Sequence, residues 1–170
     1  HIRQVGAIIH VVRCFDDHDI VHVNGKVDPA SDIETVGIEL ALADIETVQK
    51  RQDSLVKFIK SHDKKISDRA KATEPVLNLI LHALEDGKPA RSVELDASQK
   101  KLISDLHLIT MKKQLYCCNV NEDEMGNDND YVRQVRDLAA KDNSEVVVIS
   151  GKLESEIAGL DSEEEKYEFL

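Results

Sequence analysis

Two apolar repeats placed end to end constrain this chain more than any other feature. Apolar residues recur at Ile38, Leu42, Ile45, Val48, Leu55 and Ile59, with Gln52 in the missing place, and again at Ile66, Ala70, Thr73, Leu77, Ile80 and Leu84. Spacings of four and three gather onto one stripe only in an α-helix, because they bracket its 3.6-residue turn. Ser61-His62-Asp63 separates the two series, so the pattern predicts an antiparallel coiled-coil hairpin. Pro29, favoured at a first helical position, and a capping box of Ser31 with Glu34 mark its start. Gly87 followed by Pro89 marks its end. Pro75, inside the second series, is expected to kink or split that helix.

Strand-like runs flank the hairpin. Ala7 to Phe15 (AIIHVVRCF) is nearly continuous apolar and rich in β-branched residues, which predicts a central parallel strand buried on both faces, with His10 as a packed histidine. The polar stretch from Asp16 to Val27 holds the hairpin signal Asn24-Gly25 and two histidines, His18 and His22. Two His four apart suit zinc on a helix, but no Glu, Cys or third His completes such a set. Beyond Ala90, Asp96 with Gln99 starts a short helix whose apolar face is Leu102, Ile103, Leu106 and Leu108. Then come a strand at Leu115–Cys118, an amphipathic helix through Val132, Val135, Leu138 and Ala139, a strand at Glu145–Ser150, and a capped acidic helix start near Ser162 and Glu165. Strand, long insertion, helix, strand, helix, strand is the order of an α/β fold with a mostly parallel sheet and helical crossovers.

At 170 residues, 41% hydrophobic and 32% charged, the chain suits one domain, or one plus an insertion. No apolar run approaches the roughly 20 residues of a membrane span and no signal peptide opens the chain, so a cytoplasmic monomer without a membrane partner is expected. Cys14, Cys117 and Cys118 lie in apolar runs without CxxC spacing, as reduced core thiols do. A redox role for Cys117 or Cys118 would need an exposed thiol of low pKa. The net charge of −11 disfavours general nucleic-acid binding. Lys50 to Lys71 is a local exception: eight Lys/Arg against three Asp give +5 and leave −16 elsewhere. Lys57, Lys60, Lys64 and Lys65 at this tip are candidate contacts to a phosphate backbone, and a solvated helical surface is the alternative reading.

Two turns carry the candidate chemistry. The run Leu115–Cys118 ends in Asn119-Val120-Asn121-Glu122, and the run Glu145–Ser150 ends in Ser150-Gly151-Lys152. Buried strands that release polar loops at their C-terminal ends form the ligand crevice of open α/β sheets. In GTP-binding domains a strand-terminal Asn-Lys-x-Asp reads guanine, the Asp accepting from the ring N1–H and the exocyclic amine. Here Asn119 keeps the amide, Val120 would cover a base face, and Glu122 reaches one methylene further than Asp. A site that pairs guanine imperfectly loses its reason to reject adenine. An ordinary strand-to-loop turn with an Asx interaction is the alternative for these four residues alone.

The segments HIRQVGAIIHVVRCF, HDIVHVNGKVDPASDIETVGIELALADIETVQKR, EDGKPAR, NVNE and SGKLESEIAGLDSEEE together resemble the Obg-like ATPase (YchF) family. The resemblance is collinear over essentially the whole chain. It implies part of a P-loop GTPase-superclass domain: residues 1–43 as its central part, residues 44–88 as an inserted antiparallel coiled-coil hairpin, and residues 89–170 as its C-terminal part. It implies an intact protein that hydrolyses ATP or GTP with Mg2+, often preferring ATP, and associates with ribosomes; the alternative reading is a non-catalytic interaction module that docks on ribosomal RNA or protein through the basic hairpin tip. By residue-for-residue match, Asn119, Val120 and Glu122 would recognise the purine, supported by Ser150, Gly151 and Lys152, with Gly151 replacing the usual Ala. The sequence contains no GxxxxGK[ST]. The phosphate loop, Mg2+ ligands and switch regions are therefore expected before His1 and a TGS domain after Leu170, and a piece without them is expected to be inactive by itself.

Overall fold

The computed structural model describes residues 5–16 and 26–152, together with residue 155. The expectations for His18, His22, Asn24-Gly25 and the helix start near Ser162 fall outside them. The elements are β1 (Ala7–Arg13), α1 (Pro29–Ile59), α2 (Lys64–Glu85), α3 (Ala97–Ile103), β2 (Lys113–Asn119), α4 (Asp130–Asp142) and β3 (Glu145–Ile149), with short 3-10 turns between them. They fall into two compact units, Glu34–Lys113 with His1–Ile8, and Ile9–Ile33 with Gln114–Leu170. Among the described residues no helix is long and apolar enough to cross a membrane.

The first unit is helical. Gln52 donates to Asn78 and Ser67 donates to the Ile59 carbonyl, so α1 and α2 run antiparallel on either side of a tight turn. Val48 and Leu55 of α1 join Ala70, Val76, Leu77, Ile80 and Leu84 of α2 in one core, which Ala90, Ile103, Leu106 and Leu108 complete. The seam is thus closed partly by the segment after the hairpin. Its outer positions stay open: Ile38, Leu42 and Ile66 are 53, 59 and 44% exposed. Within this unit the fully buried Asp44 accepts from the Ile109 and Thr110 amides and from the Thr110 hydroxyl, at 2.9, 2.7 and 2.7 Å.

Local chemistry explains where these helices begin and end. Asp28, not Ser31 with Glu34, caps α1: its carboxylate accepts from the Ser31 amide, because Pro29 already occupies the first helical turn. Asp63 caps α2 through the Lys65 and Ile66 amides. Pro75 does not split α2, which runs unbroken over 22 residues. Gly87, at φ +74°, ends it in a Schellman turn with Gly87 N–H on Leu84 O and Lys88 N–H on Ala83 O. The predicted Asp96–Gln99 capping box forms in both directions. The helix it opens stops at Ile103, though, and Leu106 and Leu108 follow in 3-10 and irregular backbone around the left-handed His107.

The second unit holds the sheet, in the order β1-β2-β3, with β2 and β3 parallel. Tyr116, Cys118 and Val120 pack with Val12 and Cys14 against Val132, Val135 and Ala139 of α4. Asn129 caps α4 and Asn143, at φ +54°, ends it. β1 corrects the expectation of a central strand buried on both faces. It lies at one side of the three, and its exposure alternates: Val12 is buried while Ile9 and Val11 are each 61% exposed. α4 covers one face of the sheet, and among the described residues nothing covers the β1 side chains that point to the other face.

His10 packs on Tyr116 at 5.8 Å between ring centroids, and burial holds its pKa below the ordinary value against the opposing pull of Asp32. All three cysteines are free and buried. The Cys14 thiol hydrogen-bonds to Cys118, which together with burial drives the Cys14 pKa far above its ordinary range. Burial also raises Cys117. Cys118 is lowered by that same hydrogen bond yet has no exposed surface, so the exposed low-pKa thiol a redox role requires does not occur here.

Candidate functional site

Because β2 and β3 are parallel neighbours with Asn119 opposite Ile149, their following turns leave the same end of the sheet. Two bonds join them. Val120 N–H donates to the Ile149 carbonyl at 2.9 Å, and Gly151 N–H donates to Asn119 Oδ1 at 2.8 Å. The second uses a side chain and therefore depends on residue identity. Gly151 also lets the turns approach closely, since a Cβ there would lie 3.3 Å from Asn119 Oδ1. Ser150 is buried at the root of its turn, at 1% exposure.

Beyond this tie the loop rises to the surface. Glu122 is exposed and opens a 3-10 turn, Glu122–Glu124, closed by a reciprocal capping box between Asn121 and Glu124. Glu122, Asn121, Asp123 and Lys152 line one open cavity of about 420 Å3. The structure therefore brings together four of the residues singled out from the sequence: Asn119 and Gly151 in a direct bond, Glu122 and Lys152 around one hollow. Val120 is different. Its side chain is 3% exposed and sits in the α4 core, so it cannot cover a base, because the strand alternation turns it inward. Its contribution to the loop is its backbone. Lys57, Lys60, Lys64 and Lys65 belong to the other unit and are exposed.

Sequence reasoning missed the residues that brace the loop. Asn129 Nδ2 donates to Cys14 O at 2.8 Å and to Glu124 Oε1 at 3.0 Å, while its Oδ1 accepts from Val132 N–H. One amide thus ties the end of β1, the start of α4 and the Glu122–Glu124 turn. Its signal was an Asn directly before an acidic helix start, a recognisable cap whose long-range bonds no local pattern reveals. Among the described residues no group of three His, Cys, Asp or Glu is arranged to hold a metal ion.

No family model matches the chain. Over 170 residues it is 51% identical to the ribosome-binding ATPase YchF of Bacillus subtilis, covering 98% of this chain and 45% of that protein. It is 45% identical to the protein of the same name from Haemophilus influenzae, again over 45% of its length. Obg-like ATPase 1 of Oryza sativa subsp. indica is 37% identical over 123 residues. The structure of the Schizosaccharomyces pombe YchF GTPase superposes with a TM-score of 0.82 at 27% identity, over 98% of this chain and 45% of that one. The chain thus spans less than half the length of the YchF proteins it matches. With collinear identity at this level and the same fold over nearly every residue, the chain belongs to the YchF (Obg-like ATPase) family.

Proposed function

We propose that this chain forms the base-reading part of a purine-nucleotide hydrolase, with ATP favoured over GTP. In this reading residues 44–88 are a helical insertion, within the wider compact unit Glu34–Lys113, and residues 1–43 and 89–170 are parts of the nucleotide-binding domain. The observation that carries it is the Gly151–Asn119 bond, which locks two turns at one end of a parallel sheet beside a hollow lined by Glu122 and Lys152. Asn119 sets the spacing of the two turns, Ser150 anchors the second from inside, and Glu122 and Lys152 meet the purine. The phosphates and Mg2+ are the work of parts other than these residues. Supplying the bound Mg2+, those parts would neutralise charge on the transferred phosphoryl group.

Glu122→Asp tests the base reading. The shorter carboxylate is expected to move the ratio of ATP to GTP affinity toward GTP by roughly tenfold in the intact protein, because it then accepts from both guanine donors, which adenine lacks. An unchanged ratio in a titration with both nucleotides defeats this role for Glu122.

A second reading concerns the hairpin, as a docking element for the ribosome, which would place the protein in the cytoplasm. It is favoured by one observation: the side chains of Lys57, Lys60, Lys64 and Lys65 are exposed and make no ion pair among the described residues, whereas Lys50 pairs with Glu46 and Arg51 with Asp105. Exchanging these four Lys for Gln should weaken ribosome co-sedimentation and flatten its dependence on salt. Indifference to the exchange would remove the tip from the account.

A further inference from the structure

We propose that the flank of the α1–α2 hairpin is a socket for an unpaired nucleobase of RNA. This rests on the reading of the hairpin as a ribosome-docking element and deepens it. A cavity of about 460 Å3 runs along the hairpin, walled by Leu55 and Phe58 of α1 and by Ile66, Arg69 and Thr73 of α2, over Leu102 of α3. The lining residues recur at three- and four-residue spacings on each helix, so one face of each forms a wall. Leu55 and Thr73 are buried at its base, 7 and 3% exposed, while Phe58 and Ile66 stand at its rim, 49 and 44% exposed.

Leaving a phenyl ring half in water is unfavourable by the apolar area it shows. It is unusual here as well, since the chain has only three Phe and no Trp from which to build a core. Basic residues are concentrated in this part of the hairpin. Lys57 and Lys60 flank Phe58 in sequence and Lys64 and Lys65 precede Ile66, all four exposed and without an ion pair among the described residues, while Arg69 lines the cavity, where its charge also acts on the Asp105 carboxylate. Arg51 differs, because both of its guanidinium NH groups reach the Asp105 carboxylate, at 2.6 and 3.5 Å. That pair fixes the far wall and spends its own charge locally.

A flat apolar ring at the rim of a slot lined by Arg69, on a segment whose exposed lysines give it a net positive charge, combines the two components of single-strand nucleic-acid sites: a stacking surface for the base and cations for the phosphates. Duplex RNA keeps its bases stacked inside and would use the cations alone. An acidic protein helix would also satisfy the charge, but it makes no particular use of a single flat ring.

The test is fluorescence anisotropy of the intact protein with a labelled oligouridine of about 12 nucleotides and with a blunt RNA duplex of similar length, between about 50 and 200 mM salt. Phe58→Leu keeps the bulk of the side chain and removes the ring; Phe58→Tyr keeps the ring. The Leu variant should bind oligouridine roughly 5- to 150-fold more weakly with the same salt dependence and bind duplex unchanged, and the Tyr variant should match the parent. Equal losses on single strand and duplex, or no loss on either, overturn the base socket. If Phe58→Leu changes nothing while exchange of the four lysines weakens binding, the socket fails and the basic tip stands. If neither matters, both readings fall. Loss of a Glu-rich amphipathic peptide but not of oligouridine on Phe58→Leu replaces RNA with an acidic protein partner and overturns the proposal.

Discussion

Removing the Asn119 side chain separates a role in holding the loops from a role in touching nucleotide. Asn119 Oδ1 accepts the Gly151 amide at 2.8 Å, and this bond adds to the ladder bond from Val120 to Ile149. Asn119→Ala leaves a partly buried N–H without its acceptor, at a cost of roughly 1–2 kcal/mol once water reaches the half-exposed Gly151. If nucleotide binds only the tied arrangement, that cost appears directly as a fall in affinity of roughly 5- to 30-fold. Asn119→Asp keeps an acceptor at the same reach and should retain most of the affinity. Gly151→Ala should fall between them, because its Cβ would stand 3.3 Å from Oδ1 and push the turns slightly apart. A fluorescent ATP analogue titrated into the intact protein measures affinity, and hydrogen exchange at the Gly151 amide measures the tie. Asn119→Asp as damaging as Asn119→Ala, or unchanged Gly151 exchange in Asn119→Ala, would refute a holding role for this side chain.

Two further predictions concern stability. Asp44→Ala strands the Ile109 and Thr110 amides in the core and should lower unfolding stability by roughly 3–5 kcal/mol, with Asp44→Asn, which keeps one acceptor oxygen, costing about half. A shift under about 1 kcal/mol in urea titration would show that the loop reaches other partners. His10 is held below its ordinary pKa by burial beside Tyr116, so the unfolded chain binds the proton more tightly than the folded one. Its contribution is present above pH 6.5 and declines as pH falls from there toward the folded-state pKa, making the protein less stable in mild acid. His10→Gln should flatten stability across that window, as melting temperatures at several pH values would reveal; a profile with unchanged slope would assign the effect elsewhere.

Much of the architecture was legible because its causes are local. The heptad spacing from Val48 to Leu84, the Asp96–Gln99 box, the Gly87 stop and the apolar runs of β2 and β3 act through neighbours in sequence, and each appears in the structure near the predicted residues. The two polar turns were legible for the same reason, since a buried strand that ends in Asn or Ser must release its chain there. Asp44 escaped notice because its partners lie 65 and 66 residues away. Asn129 did so because one of its partners is Cys14, across 115 positions.

Tertiary structure alone decided which faces these elements spend. The apolar run of β1 reads as buried on both sides, yet Ile9 and Val11 are exposed because α4 covers a single face of the sheet. Val120 sits in a turn that reads as a base-binding surface, yet strand alternation sends it into the core. The sequence by itself determined the order of elements and the two loops, encoded by residue type at short range, and its collinear resemblance pointed to the family. The tie between Asn119 and Gly151, the brace at Asn129 and the rim position of Phe58 were decided only when distant segments met. Hydrogen bonds and exposure depend on who the spatial neighbours are, and spacing along the chain does not record that.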